Sequence, residues 1–332
     1  MFTDSFKYYK SKCPPPSFES VVNFGQNDDN LFTRRTIINA GEEFKHLGLT
    51  NPTHWHSYQF SSGLIFIKNP FTPHGQRYWI ARCLRDYPKS PHANNLRSKC
   101  ISPAAIDDWW TEMVSSRTKS DKESLRSALR WCTLGYHHQW DTKVYSEEMK
   151  HSFPVDLGTL SAYIARTLNF GEYSAEAAIV NFYPIGTTLA GHTDHSERNL
   201  DAPLFSFSFG QSAIFLIGGT TKDIKPTAMF LHSGDIVIMS KESRLCYHAV
   251  PRVFKSDDSV WNNTIDGGDD DDDDRNEMPK KRKIENKSGC LVKDLWNKVD
   301  DRFYWEPFNE YVENCRINVN VRQVLRKGEH SL

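Results

Sequence analysis

Leu204-Phe205-Ser206-Phe207-Ser208-Phe209-Gly210 alternates strictly, so its phenylalanines share one face of a strand and its serines line the other. A phenylalanine face suits a hydrophobic core, and a face of small hydroxyls suits a cavity. Short β-rich runs recur on both sides, over residues 177–183, 212–217, 228–231, 235–239 and 316–323, separated by Gly, Pro and Asp. Many short strands with turn punctuation and no interleaved helices point to a sandwich or jelly roll rather than a parallel βαβ sheet. The expected class is therefore mostly β with flanking helices.

Upstream, the pattern differs. Residues 1–12 are aromatic and basic, with Phe2, Phe6, Tyr8 and Tyr9 at nearly helical spacing, and Pro14, Pro15 and Pro16 follow. A docking helix and an extended linker are expected there. Residues 64–68 read as a strand; 74–86, 104–115 and 157–168 read as helices, the last with Leu157, Leu160, Ile164 and Leu168 on one face. Between 256 and 287 the apolar pattern collapses into an aspartate run, 269–274, followed by Pro279-Lys280-Lys281-Arg282-Lys283. Such like-charge blocks bury too little apolar surface to fold, so this stretch is expected to be a disordered insert. The expected division is 1–56 as docking helix and linker, 57–155 as an N-terminal extension with a lid, and 156–326 as the core that 256–287 interrupts.

The chain has 332 residues, of which 38% are hydrophobic and 13% aromatic, enough for a sizeable core. Its net charge of -1 conceals an asymmetry, because residues 256–285 carry 11 acids against 5 bases and leave the remainder at +5. A mildly basic body suits phosphate partners and suits an ordinary surface equally. The seven cysteines are scattered without a C-x-x-C pair, which argues against a disulfide framework or zinc module. No apolar run approaches the roughly 20 residues of a membrane span. A soluble intracellular monomer with no membrane partner is expected. The cluster 279–283 reads either as a nuclear-import signal or as a charge run balancing its acidic neighbour; nuclear residence, with possible cytoplasmic or mitochondrial pools, is the expectation.

His192-Thr193-Asp194 follows a strand, and residues two apart on an extended segment point the same way. An imidazole and a carboxylate can thus share a metal face, and one further histidine would complete a two-His, one-carboxylate triad with open coordination positions. His232, before the Gly234-Asp235 turn, and His248, after the strand 236–239, are the candidates; the turn explains His232 more simply, and His248 is preferred. His195 would point to the opposite face. Arg316, Asn318, Asn320 and Arg322 share one face of the last strand. That face is either a carboxylate anchor, since arginine's planar fork grips a carboxylate bidentately, or the solvated side of an edge strand.

Taken in order, Asn181-Phe182-Tyr183, His192-Thr193-Asp194, the runs 203–210 and 213–219, Gly234-Asp235, His248 and Arg316-x-Asn318-x-x-x-Arg322 resemble the AlkB-family dioxygenases over roughly residues 129–324. The resemblance implies a double-stranded β-helix (jelly-roll) core with one Fe(II) per chain on His192, Asp194 and His248. It implies 2-oxoglutarate as co-substrate, with its distal carboxylate on Arg316, hydrogen bonds from Asn181 and Tyr183, and support from Asn318 and Arg322. It further implies oxidative demethylation of nucleic-acid bases, N1-methyladenine in tRNA or methylated adenine in DNA, consuming O2 and releasing formaldehyde and succinate. A protein substrate such as a histone tail is the alternative. The segment 129–141 resembles the family's substrate lid, where Trp131 or Tyr136 would either stack on a base or pack in the core. Two features depart from the family: the long gap from His248 to Arg316, which the charged insert fills, and Asn320 where relatives commonly carry Thr.

Overall fold

The computed structural model describes residues 1–25, 32–35, 37–38, 40–98, 101–142, 144–263 and 290–332. Two antiparallel sheets organise the molecule. Eight strands form its centre: β1 (Ala177–Pro184), β2 (Leu189–His192), β3 (Leu204–Gly210), β4 (Ser212–Ile217), β5 (Thr227–Leu231), β6 (Ile236–Met239), β7 (His248–Phe254) and β8 (Cys315–Arg322). The larger sheet runs β6-β3-β8-β1, widened on one side by Ile65–Lys68, His56–Phe60 and Phe32–Arg34 and on the other by Trp131–Gly135 and Ala93–Asn94. The smaller sheet runs β5-β4-β7-β2.

Alternation decides what each face does. Phe205, Phe207 and Phe209 of β3, Ile317, Val319 and Val321 of β8, and Ala178, Val180 and Phe182 of β1 all enter one large core. There they meet Leu157, Leu160, Tyr163 and Ile164 of the helix Val155–Thr167. Burying each phenylalanine contributes about 2–3 kcal/mol relative to exposure. The opposite face of the same strands turns toward the smaller sheet, where Leu204, Val237 and Met239 pack with Phe215, Ile217, Met229, Leu231 and Val250. The polar residues of β3 and β8 lie on that inner face, and the site is built there.

The first segment is more integrated than a docking helix with a free linker. The helix α1 (Phe2–Lys10) buries Phe2 and Tyr9 against Ile214, Leu216, Ala228 and Ala249 on the outside of the smaller sheet. Beyond the prolines, the Val22 amide donates to Ala228 O at 2.9 Å and Phe230 N donates back to Val22 O at 3.0 Å, so the expected linker pairs in parallel along the edge strand β5 of the smaller sheet. The apolar spacing of 20–24, too short for a periodic signal, left this invisible in sequence. The helix expected over 104–115 is two, Pro103–Asp107 and Trp109–Ser115, because Asp108 caps the second by accepting from Thr111 N. The charged insert starts later than 256. Trp261 is fully buried, its indole N–H donates to Asn309 Oδ1 at 3.1 Å, and residues 256–263 belong to the body. Both the aspartate run and the basic cluster 279–283 lie outside the described residues. Among the described residues no helix is long and apolar enough to cross a membrane.

Candidate active site

His192 ends β2 and His248 begins β7, and the two are direct cross-strand partners. Asp194, two residues beyond His192, lies with His192 Nε2 3.9 Å from its Oδ1 and His248 Nε2 3.7 Å from its Oδ2. One ligand atom from each of the three residues falls within 4.8 Å of the others. Both imidazoles are oriented alike: His192 Nδ1–H donates to Ala190 O at 2.9 Å and His248 Nδ1–H to Cys246 O at 3.1 Å. A carbonyl can only accept, so each Nδ1 carries the proton and each Nε2 keeps its lone pair for a metal. Burial, with His192 beside it, pulls the His248 pKa down to about 4, which keeps that lone pair available at neutral pH. Burial alone would raise the Asp194 carboxyl, but Arg322 and the two histidines hold it well below the usual carboxylate range. Two imidazole nitrogens and one carboxylate oxygen are the donor set of a facial site for Fe(II).

Arg316 lies 1% exposed at the floor of the inner face. Its Nη2 donates to Ser208 Oγ at 3.0 Å, while Nε and Nη1 are buried without a partner. Burial drops its pKa to about 10. A buried guanidinium with two unmatched donors is costly unless an anion completes it, so the site fits a carboxylate. The serine face of β3 steadies this floor: Asn318 Nδ2 donates to Ser206 Oγ at 2.8 Å and to Phe207 O at 3.1 Å. The Tyr183 ring centre is 5.6 Å from the Arg316 guanidinium, and burial pushes its hydroxyl up to about 12. A chamber of about 30 Å³ bounded by Arg316, Ser206, Asn318 and Asn320 opens onto His192 and His248.

On the other side of the histidines is a cleft of about 370 Å³. Its walls are His138, Trp140, Tyr145, Ile179 and Asn181, with His192, Asp194, Asn320 and Arg322 below. The structure thus brings His192, Asp194, His248, Asn181, Arg316, Asn318 and Arg322 to one place. It leaves out His232, whose Nδ1 shares a hydrogen with Ser212 Oγ at 2.8 Å and whose amide donates to Asp235; His195 lines the cleft but bonds Thr193 and stays outside the ligand group.

The lid residues need a correction. Tyr136 is 0% exposed, packed with Ala177, Val324 and Leu325, and its hydroxyl contacts Glu147 and Lys150. Gly135, at φ +70°, turns the chain there; a Cβ would lie 2.0 Å from Glu176 O. That turn drives the next side chain inward, so Tyr136 cannot stack on a base. Trp131 lies behind the wall, its ring centre 5.3 Å from that of Trp140, and Trp140 reaches the cleft, 46% exposed. Sequence reading also missed Glu197, Arg244 and Tyr145, which surround Asp194. Glu197 stands three residues past Asp194, a faint local signal; Arg244 offered none.

Comparison with known proteins agrees with this geometry. A model of the 2OG-Fe(II) oxygenase superfamily matches residues 63–322. A Mus musculus protein named nucleic acid dioxygenase ALKBH1 is 38% identical over 98% of this chain and 79% of its own length. An Arabidopsis thaliana protein named DNA N(6)-methyladenine demethylase ALKBH1A is 29% identical over 79% of this chain and 75% of its own. A Schizosaccharomyces pombe protein named tRNA demethylase abh1 is 35% identical over 59% of this chain and 70% of its own. A match over so much of the chain, on the strands that carry the two histidines and the buried arginine, means that this chain belongs to the 2OG-Fe(II) oxygenase superfamily.

Proposed function

We propose that this chain is an Fe(II)- and 2-oxoglutarate-dependent oxidative demethylase of nucleic-acid bases, acting on N1-methyladenine in tRNA, methylated adenine in DNA, or both. The observation that carries the reading is the place of His192, Asp194 and His248 between two compartments, one ending on a buried arginine and the other open and aromatic-walled. The family supports the cofactor pair, and the names of the relatives support the substrate class. The eight central strands, in two facing sheets ordered β6-β3-β8-β1 and β5-β4-β7-β2, support a double-stranded β-helix core within 156–326, with 57–155 as its lid-bearing extension and 1–56 as its N-terminal arm.

In this reading His192, Asp194 and His248 hold one Fe(II) per chain, and Arg316 takes the distal carboxylate of 2-oxoglutarate. Asn181 and Tyr183 flank the co-substrate, with Asn318 and Arg322 behind. When bound, iron and 2-oxoglutarate supply from O2 the oxidising equivalent that hydroxylates an N-methyl group, which leaves as formaldehyde beside succinate. The protein's part is to fix both imidazoles through Nδ1, to hold the Asp194 carboxylate with Arg322, and to shield the inner chamber from water. A base stacked in a duplex cannot reach half-buried His192 and buried His248 at the bottom of the cleft, so the target is extruded or already unpaired. We also propose nuclear residence through the basic cluster 279–283.

The test is incubation with Fe(II), 2-oxoglutarate and O2 on three separate substrates: a tRNA stem-loop with N1-methyladenine, DNA with N6-methyladenine, and a methylated histone peptide. Succinate and formaldehyde from a nucleic acid, absent in Asp194→Ala, are expected; products from the peptide alone would overturn the substrate class.

A further inference from the structure

Behind Asp194 lies a closed ring of buried charges. Arg322 donates through Nη2 to Asp194 Oδ2 at 3.0 Å and through Nε to Glu197 Oε1 at 2.9 Å. Arg244 donates through Nη2 to Glu197 Oε2 at 2.7 Å and through Nη1 to the main-chain carbonyl of Asp194 at 2.6 Å. The Glu197 and Arg244 side chains are 1% and 2% exposed and that of Arg322 is 3%. Removing such charges from water is costly, and a well-packed apolar core of equal volume would stabilise the fold as well or better. What the ring supplies is position, because it grips Asp194 by both carboxylate and backbone.

A further contact on the ring comes from just beyond the lid stretch. The hydroxyl of Tyr145 donates to Glu197 Oε1 at 3.1 Å, and burial, reinforced by the Glu197 charge, keeps that hydroxyl protonated as a donor. Tyr145 belongs to Val144–Tyr145, paired with His138–Gln139 in a hairpin whose strands are two residues each. A two-stranded unit this small is not stable alone and stays where its contacts hold it. The same hairpin sets His138 and Trp140 on the cleft wall, and His138 Nε2 lies 3.0 Å from Ser196 Oγ. Whatever moves the hairpin therefore pulls on an oxygen that Tyr145 shares with Arg322.

Resting on the demethylase reading for its substrate, we propose that Tyr145 and Glu197 are positioning residues that couple seating of the nucleotide against the lid hairpin to the orientation of Asp194. In a coupled turnover one N-methyl group, one O2 and one 2-oxoglutarate give one demethylated nitrogen, formaldehyde, succinate and CO2. When coupling fails, succinate and CO2 still form, and ascorbate in the assay supplies the two electrons and two protons that turn the second oxygen atom into water. Loss of the Tyr145 hydroxyl thus separates the two products.

The experiment uses the full chain with Fe(II), 2-oxoglutarate, ascorbate and a stem-loop RNA carrying N1-methyladenine, and reads succinate and formaldehyde for wild type, Tyr145→Phe and Tyr136→Phe. Because a hydrogen bond to a charged group is lost, the succinate-to-formaldehyde ratio of Tyr145→Phe is expected to rise about threefold or more. Tyr136→Phe, which removes a lid hydroxyl bonded away from the ring, is expected to keep the wild-type ratio. An unchanged ratio in Tyr145→Phe, or an equal rise in Tyr136→Phe, overturns the relay. If wild type makes succinate but no formaldehyde on methylated RNA or DNA, the demethylase reading falls instead. The visible spectrum of Co(II)- and 2-oxoglutarate-loaded protein then decides the relay: a band shifted in Tyr145→Phe alone supports it, and superimposable bands overturn it.

Discussion

His192 and His248 face each other across adjacent antiparallel strands, with ring centres 4.3 Å apart and each Nδ1 bonded to the carbonyl two residues upstream. Backbone pairing thus sets the separation of two ligands, and Asp194 is left to the ring of arginines. Removing the carboxylate should therefore damage metal binding without dispersing the histidines. In Asp194→Ala, Co(II) affinity measured by titration is expected to fall more than about 100-fold, since loss of a ligand exceeds the 10–100-fold typical of an outer-shell change. A melting temperature below that of the metal-free wild type should accompany it, because the buried Arg322 loses one of its two carboxylate partners.

Arg316 makes a different prediction, one about anions. Its two unpartnered buried donors cost free energy until a carboxylate meets them, so 2-oxoglutarate should raise the melting temperature even without metal. At a hundred times its Kd the gain is about 2.7 kcal/mol. Arg316→Lys keeps a charge but loses the fork, and is expected to raise KM for 2-oxoglutarate at least about tenfold and abolish most of the thermal shift.

The outer clamp is as testable as the site. Phe2 is 1% exposed, and its ring lies where a Cβ on Gly191 or Gly218 would approach to 2.7 or 2.8 Å. Gly191 immediately precedes His192, and Tyr247, whose ring centre is 6.2 Å from that of Phe2, immediately precedes His248. Phe2→Ala is expected to lower stability by about 3–5 kcal/mol in denaturant titration, and to weaken Co(II) binding because the two strands lose their common support.

How much of this was legible in sequence follows from where the signal resides. The faces of β3 and β8 were readable because a period of two is local, and the same alternation that buries Phe205 and Ile317 aims Ser206 and Arg316 inward. The His192-x-Asp194 pair was readable for the same reason. Arg244 and Tyr145 were not, because nothing near them in sequence reveals that chain segments 244, 197 and 145 converge. Tyr136 stayed open between stacking and packing because aromatic character is local information and burial is not; the turn at Gly135 decides for packing. Trp261 sits beside charged residues and is held by Asn309, a contact 48 residues away.

Acid should weaken the fold through His137. The residue is 2% exposed, Thr133 Oγ1 lies against its Nδ1, and its Nε2 has no partner. Burial, then His151 and His92, pull its pKa from 6.5 to about 4. Between those values the unfolded chain binds the proton and the native one does not, so stability is full above about pH 6.5 and is lost as pH falls toward 4. His137→Gln should flatten the melting-temperature profile in that window, by roughly 1–2 kcal/mol once solvent screening is allowed for.

Trp140 and Tyr136 separate a stacking role from a packing one. Trp140 reaches the cleft, 46% exposed, braced by Trp131 at 5.3 Å and His138 at 4.9 Å, so its free face is available to a flat ring. Stacking of a base on an aromatic is worth about 1–3 kcal/mol, so Trp140→Ala should raise KM for methylated nucleic acid about tenfold or more. KM for 2-oxoglutarate, whose proposed anchor Arg316 lines the other compartment, should stay within about twofold. Tyr136→Phe removes only a hydroxyl shared with Glu147 and Lys150, and should cost about 1 kcal/mol of stability with both KM values kept. Steady-state kinetics with each substrate varied in turn distinguishes the two positions. If Trp140→Ala left KM for nucleic acid unchanged, the base would have to seat elsewhere in the cleft, with His138, Tyr145, Ile179 and Asn181 as the remaining wall.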